Sequence, residues 1–268
     1  MINRLEAILL EKNREVTDLY RRLAHDINHP IAQILRGDLQ IKHRRQSLKT
    51  ILRSPSLSVI AEIKRKSPSK GEIAIIPDPI YLAERYILGG SRALSILTDK
   101  KFFGGSIEDL VQVAETIGDR LIPILRKDFI IDKIQIAEAA IAGASAVLCI
   151  IAVLGQKTKT LLEFARSINI DVLVEIHDQN ELEIALECGA EIIGINNRNL
   201  KTFTVDTQRA LQIVSAIPDT IIKVAESGIT HPALAREYYK AGFDALLIGE
   251  SLVKSDCPER FIKECSHD

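Results

Sequence analysis

The sequence has no tryptophan, one methionine and only 4% aromatic residues, so a stacking platform for single-stranded nucleic acid is not expected. Its 35 Lys and Arg are balanced by 36 Asp and Glu, a formal charge of −1, which leaves no long-range field to draw nucleic acid or an anionic membrane. No uncharged apolar run approaches the ~18 residues that a membrane span needs. The opening stretch MINRLEAILLEKNREV is broken by charges and reads as an amphipathic helix, not a signal peptide. Cysteine is also scarce. Cys149, Cys188, Cys257 and Cys265 make no C-x-x-C pair and no zinc spacing, and Cys149 and Cys188 sit in apolar stretches that suggest packing. His25 and His29 are four apart but have no third ligand, so no metal is expected. These absences predict a soluble chain in a reducing, cytoplasmic setting, with no membrane or nucleic-acid partner; the sequence is compatible with a monomer.

What remains is globular: 46% of the 268 residues are hydrophobic and 26% charged, with a core that must be mostly Ile, Leu, Val and Ala. Leu5, Ile8, Leu9, Val16, Leu19 and Leu23 recur at helical spacing and predict a helix over 2–24. Pro30 starts a shorter helix that Gly37 stops, and 46–52 suggests another. The pattern then becomes regular. Val/Ile/Leu-rich runs begin near Ser58, Arg92, Leu121, Ala146, Asp171, Glu191, Thr220 and Asp244. Helical segments at 79–88, 107–117, 133–142, 158–167, 180–187, 207–217 and 232–241 separate them. Gly89, Gly118, Gly143, Gly189 and Gly242 are expected at left-handed helix caps. Alternating strand and helix implies right-handed crossovers and an α/β fold with a parallel sheet. Eight such strands predict a (β/α)8 TIM barrel, with 58–268 as the barrel and 1–57 as an N-terminal helical extension packed on it, a single domain overall. A doubly wound open sheet is the rival, but no G-x-G-x-x-G follows the first strand.

In such a barrel chemistry gathers where strands end. With a period of two, Glu62 and Lys64 share a face in VIAEIKRKSPSKG, as do Leu125 and Lys127 in LRKDF, Leu173 and Glu175 in VLVEIHD, Gly194 and Asn196 in GINNRNL, and Val224 and Glu226 before SGI. If these faces point inward, Glu62, Lys64, Lys127, Glu175, Asn196 and Glu226 converge at the mouth. Burying them without purpose would be costly, and lysines beside carboxylates can tune one another for proton transfer. An acid–base enzyme is the expected class. Gly228 and Gly249 follow the last two apolar strands, where loops of this fold commonly hold a phosphate on backbone N–H groups; Ser227 and Ser251 add hydroxyls. A phosphorylated small molecule is the expected partner. Lys223 has the parity opposite to Glu226 and should point outward, its ammonium reaching solvent or a carboxylate. His177, two residues after Glu175, reads as a structural histidine hydrogen-bonded in its loop rather than a proton shuttle.

At these residues the chain resembles the indole-3-glycerol phosphate synthase family. VIAEIKRKSPSKG, LTDKKFFGGS, LRKDF, VEIHD, INNRNL, AESGI and IGESL follow in the family's order from about Val59 to Leu252. The resemblance implies closure, decarboxylation and dehydration of 1-(2-carboxyphenylamino)-1-deoxyribulose 5-phosphate, a step of tryptophan biosynthesis, with no metal or organic cofactor. Lys127 then matches the general acid, Glu175 the general base, and Lys64 the lysine that holds the anthranilate carboxylate and assists dehydration. Glu62, Asn196 and Glu226 match residues that bind ribulose hydroxyls and position the lysines. Ser67, Gly228, Gly249 and Glu250 match the phosphate positions, while Pro68, Phe129, Leu148, Arg198 and Ser227 match substrate contacts, most of them around the anthranilate ring. The N-terminal helices resemble the segment that the family packs near the mouth. Two positions depart from the pattern: Leu48 stands where Phe is usual, bearing on the N-terminal lid, and Gly104 where Gln is usual. Another phosphate-binding barrel, such as a phosphoribosylanthranilate isomerase or a Schiff-base aldolase, and a catalytically inactive barrel subunit remain the alternatives.

Overall fold

The structure is a computed structural model that describes residues 3–41, 46–67, 71–76, 78–199, 202 and 204–266. Eight parallel strands close on themselves in sequence order: β1 (Ser58–Ile63), β2 (Ala93–Leu97), β3 (Ile124–Lys127), β4 (Ala146–Ile150), β5 (Asp171–Ile176), β6 (Ile192–Asn196), β7 (Ile222–Glu226) and β8 (Ala245–Ile248). This is the expected barrel, and its unbroken strand order leaves no switch point of the kind a doubly wound sheet has. Because both faces of each strand are covered, the strands read as near-continuous apolar runs. The period of two divides them. Ile60, Leu125, Leu148, Leu173, Val224 and Leu247 fill the interior, while Val59, Ala61, Leu94, Val147, Val174 and Ile195 meet the surrounding helices.

Among the described residues three helices precede the barrel: α1 (Arg4–Leu23), α2 (Pro30–Arg36) and α3 (Leu48–Leu52). Besides single turns at Lys100–Phe103, Ile151–Leu154 and Glu250–Val253, the helices between strands are α4 (Pro79–Leu88), α5 (Ile107–Thr116), α6 (Lys133–Ile141), α7 (Thr158–Ser167), α8 (Gln179–Glu187), α9 (Gln208–Ile213) and α10 (Pro232–Lys240), and α11 (Pro258–Ser266) follows β8. Asp78, Ser106, Asp132, Asp178 and His231 cap five of them by accepting first-turn N–H groups.

Several expectations need correction. Only α1 lies at the barrel mouth; α2 packs against α6, and α3 closes the opposite end. Leu48 and Leu52 are fully buried among the interior residues Ile60, Ala93, Ile192 and Ala245. Ser47 Oγ donates to Asp171 Oδ2 at 2.7 Å, and Lys49 Nζ meets Glu191 Oε1 at 2.5 Å, both at strand starts. Leu48 is therefore a plug of the barrel floor and has no part in a lid. β3 begins at Ile124, not near Leu121, which adopts a left-handed φ of 56° before Pro123. Gly143, Gly189 and Gly242 do adopt left-handed conformations, but Gly89 and Gly118 do not. Gly89 answers a different demand: a Cβ there would stand 2.8 Å from Glu259 Cα of α11, a helix the sequence pattern did not reveal. A short ribbon pairing Lys66–Ser67 with Gly71–Glu72 was also unforeseen.

Candidate active site

Glu62, Lys127, Glu175, Asn196 and Glu226 stand at the C-terminal ends of β1, β3, β5, β6 and β7, each one inward step beyond the packed interior. With Lys64, just past β1, they line a cavity of about 480 Å³ at the mouth. Ser67, Phe129, Leu148, Arg198, Ser227, Gly228, Gly249 and Glu250 line it too. Pro68 lies outside the described residues.

Lys127 is the centre of the polar floor. Its ammonium is 3.0 Å from Glu175 Oε2 and 2.8 Å from Glu226 Oε2. Lys64 Nζ lies 2.6 Å from Glu62 Oε1, and Asn196 Oδ1 accepts the Arg198 N–H at 3.0 Å. Burial disfavours the charged ammonium of Lys127, but Glu175, Glu226 and Glu62 outweigh it and hold the lysine firmly protonated. Burial likewise opposes ionisation of Glu175, yet Lys127 and His177 hold its carboxyl below the usual range. Glu226 goes the other way. Burial, with Glu175 and Glu62 nearby, raises it to about 7 despite Lys127. Two carboxylates on one lysine thus differ in their hold on a proton, an arrangement suited to separate acid and base duties.

Two glycines matter for the atoms they lack. A Cβ on Gly194 would stand 2.1 Å from Glu226 Oε1, and one on Gly249 would stand 2.3 Å from Glu62 Oε1. Gly249 was expected to let backbone approach a phosphate; its missing side chain also leaves room for Glu62. Gly228 fits its expected turn better. It and Ser227 have φ of 83° and 65°, and a Cβ on Gly228 would strike Val205 and Thr207 at 2.7 and 2.8 Å. Ser251 Oγ already donates to Ile229 O at 2.6 Å. Lys66, next to Ser67 in the chain, donates to Lys101 O at 2.9 Å and does not line the cavity. Lys254 does line it, 2.7 Å from Glu250.

The opposite wall is apolar. Phe129 and Phe103 face each other with ring centroids 6.1 Å apart, beside Leu148, Ile150 and, from α1, Leu5 and Ile8. The reading of the sequence assigned no site role to Phe103, Ile150, Leu5 or Ile8, although Ile150 shares Leu148's face by the period of two. It also missed Lys12. This lysine is 1% exposed and meets Asp128 Oδ1 at 2.8 Å, Asp99 Oδ2 at 3.0 Å and Glu15 Oε2 at 2.8 Å. The signal was present: position 12 falls four after Ile8 and four before Val16, inside the apolar stripe of α1.

Comparisons with known proteins concern the sequence and the fold. The family profile described as indole-3-glycerol phosphate synthase matches residues 5–265. The indole-3-glycerol phosphate synthase of Kineococcus radiotolerans is 45% identical over 209 residues, 78% of this chain and 75% of that protein. That of Parafrankia sp. is 40% identical over 247 residues, covering 86% and 91%. Among solved structures, 3-hexulose-6-phosphate synthase from Salmonella typhimurium superposes with a TM-score of 0.62 at 10% identity, covering 78% of this chain and 96% of its own; this likeness concerns the fold alone. By sequence, the chain belongs to the indole-3-glycerol phosphate synthase family.

Proposed function

We propose that the chain is a carboxy-lyase of tryptophan biosynthesis. It closes, decarboxylates and dehydrates 1-(2-carboxyphenylamino)-1-deoxyribulose 5-phosphate to indole-3-glycerol phosphate. The observation that carries this reading is Lys127 held between Glu175 and Glu226, with an apolar wall on one side and the Ser227–Gly228 turn on the other. The anthranilate ring lies against Phe129 and Leu148, near Arg198, with its carboxylate on Lys64. The phosphate lies at Ser67, Gly228, Gly249 and Glu250, the two glycines and Glu250 serving through backbone groups, with Ser227 a further substrate contact.

Lys127 donates a proton to the ribulose carbonyl oxygen as the ring carbon attacks the carbonyl carbon, and its charge stabilises the developing alkoxide. Carbon dioxide then leaves with its carbon–carbon electron pair returned to the ring. Lys64 protonates the departing hydroxyl, which leaves as water. Glu175 removes the last proton as the indole becomes aromatic. Its Oε2 touches Lys127, so that proton can return to the acid without crossing solvent. Glu62, Asn196 and Glu226 bind ribulose hydroxyls and hold the lysines. No step needs a metal or organic cofactor.

A Schiff-base aldolase would need a neutral lysine, and the carboxylates around Lys127 oppose that state. Borohydride trapping with substrate would reveal an imine. We further propose that residues 1–57 and 58–268 form one cytoplasmic, monomeric unit. The deciding experiment follows indole absorbance with purified protein and the carboxyphenylamino sugar phosphate; absence of product at catalytic enzyme levels would refute the assignment.

A further inference from the structure

His177 lies one residue beyond β5, outside the cavity lining, and joins the base to the loop behind it. Its Nδ1 is 3.0 Å from Glu181 Oε2, which also accepts the His177 backbone N–H at 2.8 Å. Its Nε2 is 3.3 Å from Glu175 Oε1, the oxygen turned away from Lys127. Both Nε2 and Oε1 are buried, and neither makes a hydrogen bond to any described residue, so the two meet as an ion-pair contact and not as a formed hydrogen bond. The charged groups that face the imidazole are Glu175 from β5 and Glu181 from α8. Through Glu175 the series continues to Lys127 of β3 and Glu226 of β7, with Glu62 of β1 beyond.

We propose that His177 is a positioning residue for Glu175: as an imidazolium held by Glu181, it fixes the carboxylate from behind and keeps it ionised between turnovers. This rests on the reading of Glu175 as the base. The physical reason is a conflict in that role. A buried carboxylate resists ionisation, and Lys127 alone must serve both Glu175 and Glu226. A second cation on Oε1 resolves the competition and leaves Oε2 facing the acid and the substrate. Burial opposes a charged His177, but Glu175 and Glu181 outweigh it and raise its pKa to about 10, so the imidazole carries its charge across the neutral range. Glu181 is anchored in turn, because its backbone N–H donates to Asp178 at the start of α8.

The test compares His177→Leu, His177→Gln and Glu181→Gln in the full chain. His177→Leu should lower kcat about tenfold or more with KM within about twofold, and move the acidic limb of the kcat–pH profile upward by roughly one unit. His177→Gln, which offers Glu175 Oε1 a neutral amide donor without the charge, should recover part of kcat but not the position of the limb. Glu181→Gln should move the limb the same way by less. A His177→Leu variant with unchanged kcat and limb, even if less stable, would overturn the proposal. A readout independent of turnover separates this from the functional reading: proton NMR of the imidazole, assigned by its loss in His177→Gln. The resonance should show no titration between pH 6 and 8. Titration near the ordinary histidine value of about 6.5 overturns the clamp whatever the protein catalyses. A protonated His177 in a protein that makes no indole product would leave the clamp standing and sink the assigned reaction.

Discussion

Replacing Lys12 with Met tests whether α1 is part of the active site or merely attached to it. Lys12 is buried with Asp99 and Asp128, which are 0% and 3% exposed, so the substitution strands two carboxylates away from water. Breaking a buried ion pair by removing one partner costs about 3–5 kcal/mol. Here the lower end applies, because Asp128 keeps the Thr98 hydroxyl, the Phe129 N–H and Arg126, and Asp99 keeps the N–H groups of Phe102 and Phe103. With an unfolding entropy of about 2.1 cal/mol/K per residue, ~3 kcal/mol in a chain of 268 residues lowers Tm by about 5 °C. The pH dependence has a definite sign. Burial disfavours the Lys12 ammonium, but Asp128 and Asp99 raise its pKa, so its contribution is complete below the unfolded value of about 10.4 and is lost as pH rises through the higher folded value. Asp128 is also opposed by burial, but Arg126 and Lys12 depress it; its contribution is complete above about 3.9 and is lost as pH falls through the lower folded value. The Tm gap between the two proteins should be widest near pH 5–9 and narrow in acid. KM should rise more than kcat falls, since α1 carries Leu5 and Ile8 into the cavity wall. Calorimetry across pH with steady-state kinetics measures both. An unchanged Tm and KM, or a gap that persists undiminished in strong acid, would refute the reasoning.

Lys127→Met should keep the fold and lower kcat by roughly 10²–10⁴-fold, measured by indole absorbance; near-normal turnover would remove Lys127 from the mechanism. Gly228→Val should raise KM more than it lowers kcat, as both the left-handed φ and the space beside Val205 and Thr207 are denied. In the same assay, substrate without its phosphate should bind wild type poorly, and equal affinity for both would dismiss the phosphate site. Lys223→Met should change stability by less than about 1 kcal/mol in urea denaturation and leave kcat unaltered. Its ammonium meets Asp219, a fully exposed carboxylate, 2.8 Å away on the helix side of β7. A large loss of activity would contradict the register of that strand.

That register was legible in the sequence because period-two parity is a local property. Lys223 pointing outward and Glu226 inward follow from counting alone, and the same count placed Glu62, Lys127, Glu175 and Asn196. The barrel was legible for a related reason, since eight apolar runs with helices between them admit few topologies. What stayed hidden depends on contacts between distant segments. Nothing near Leu48 shows that it fills the barrel floor, and nothing near Gly249 shows that Glu62 occupies the space of its side chain. Lys12 was within reach, as a charge in the middle of an apolar stripe, but its two aspartates come from other loops. For His177, spacing suggested proximity to Glu175 and favoured a structural histidine, and the bond to Glu181 agrees with that reading; the contact with Glu175 Oε1 became visible only in the structure.

The protonation of the mouth is the property furthest from sequence, and it bears on how an anionic substrate can bind at all. Lys64 and Lys127 are already engaged by Glu62, Glu175 and Glu226, so the floor carries more carboxyl groups than ammonium groups. A substrate bearing a carboxylate and a phosphate would meet repulsion if all three carboxyls were charged. Glu226 relieves this, because burial beside Glu175 and Glu62 makes it the carboxyl that keeps a proton as pH approaches neutrality. Protonated, it can donate to a ribulose oxygen while Glu175 stays ionised as the base. The raised pKa also has a cost for the free protein. A carboxyl with a folded value near 7 and an unfolded one near 4.3 loses stability as pH rises between them, the opposite of the Glu175 contribution. The mouth therefore trades fold stability for a site that holds one acid and one base on the same lysine.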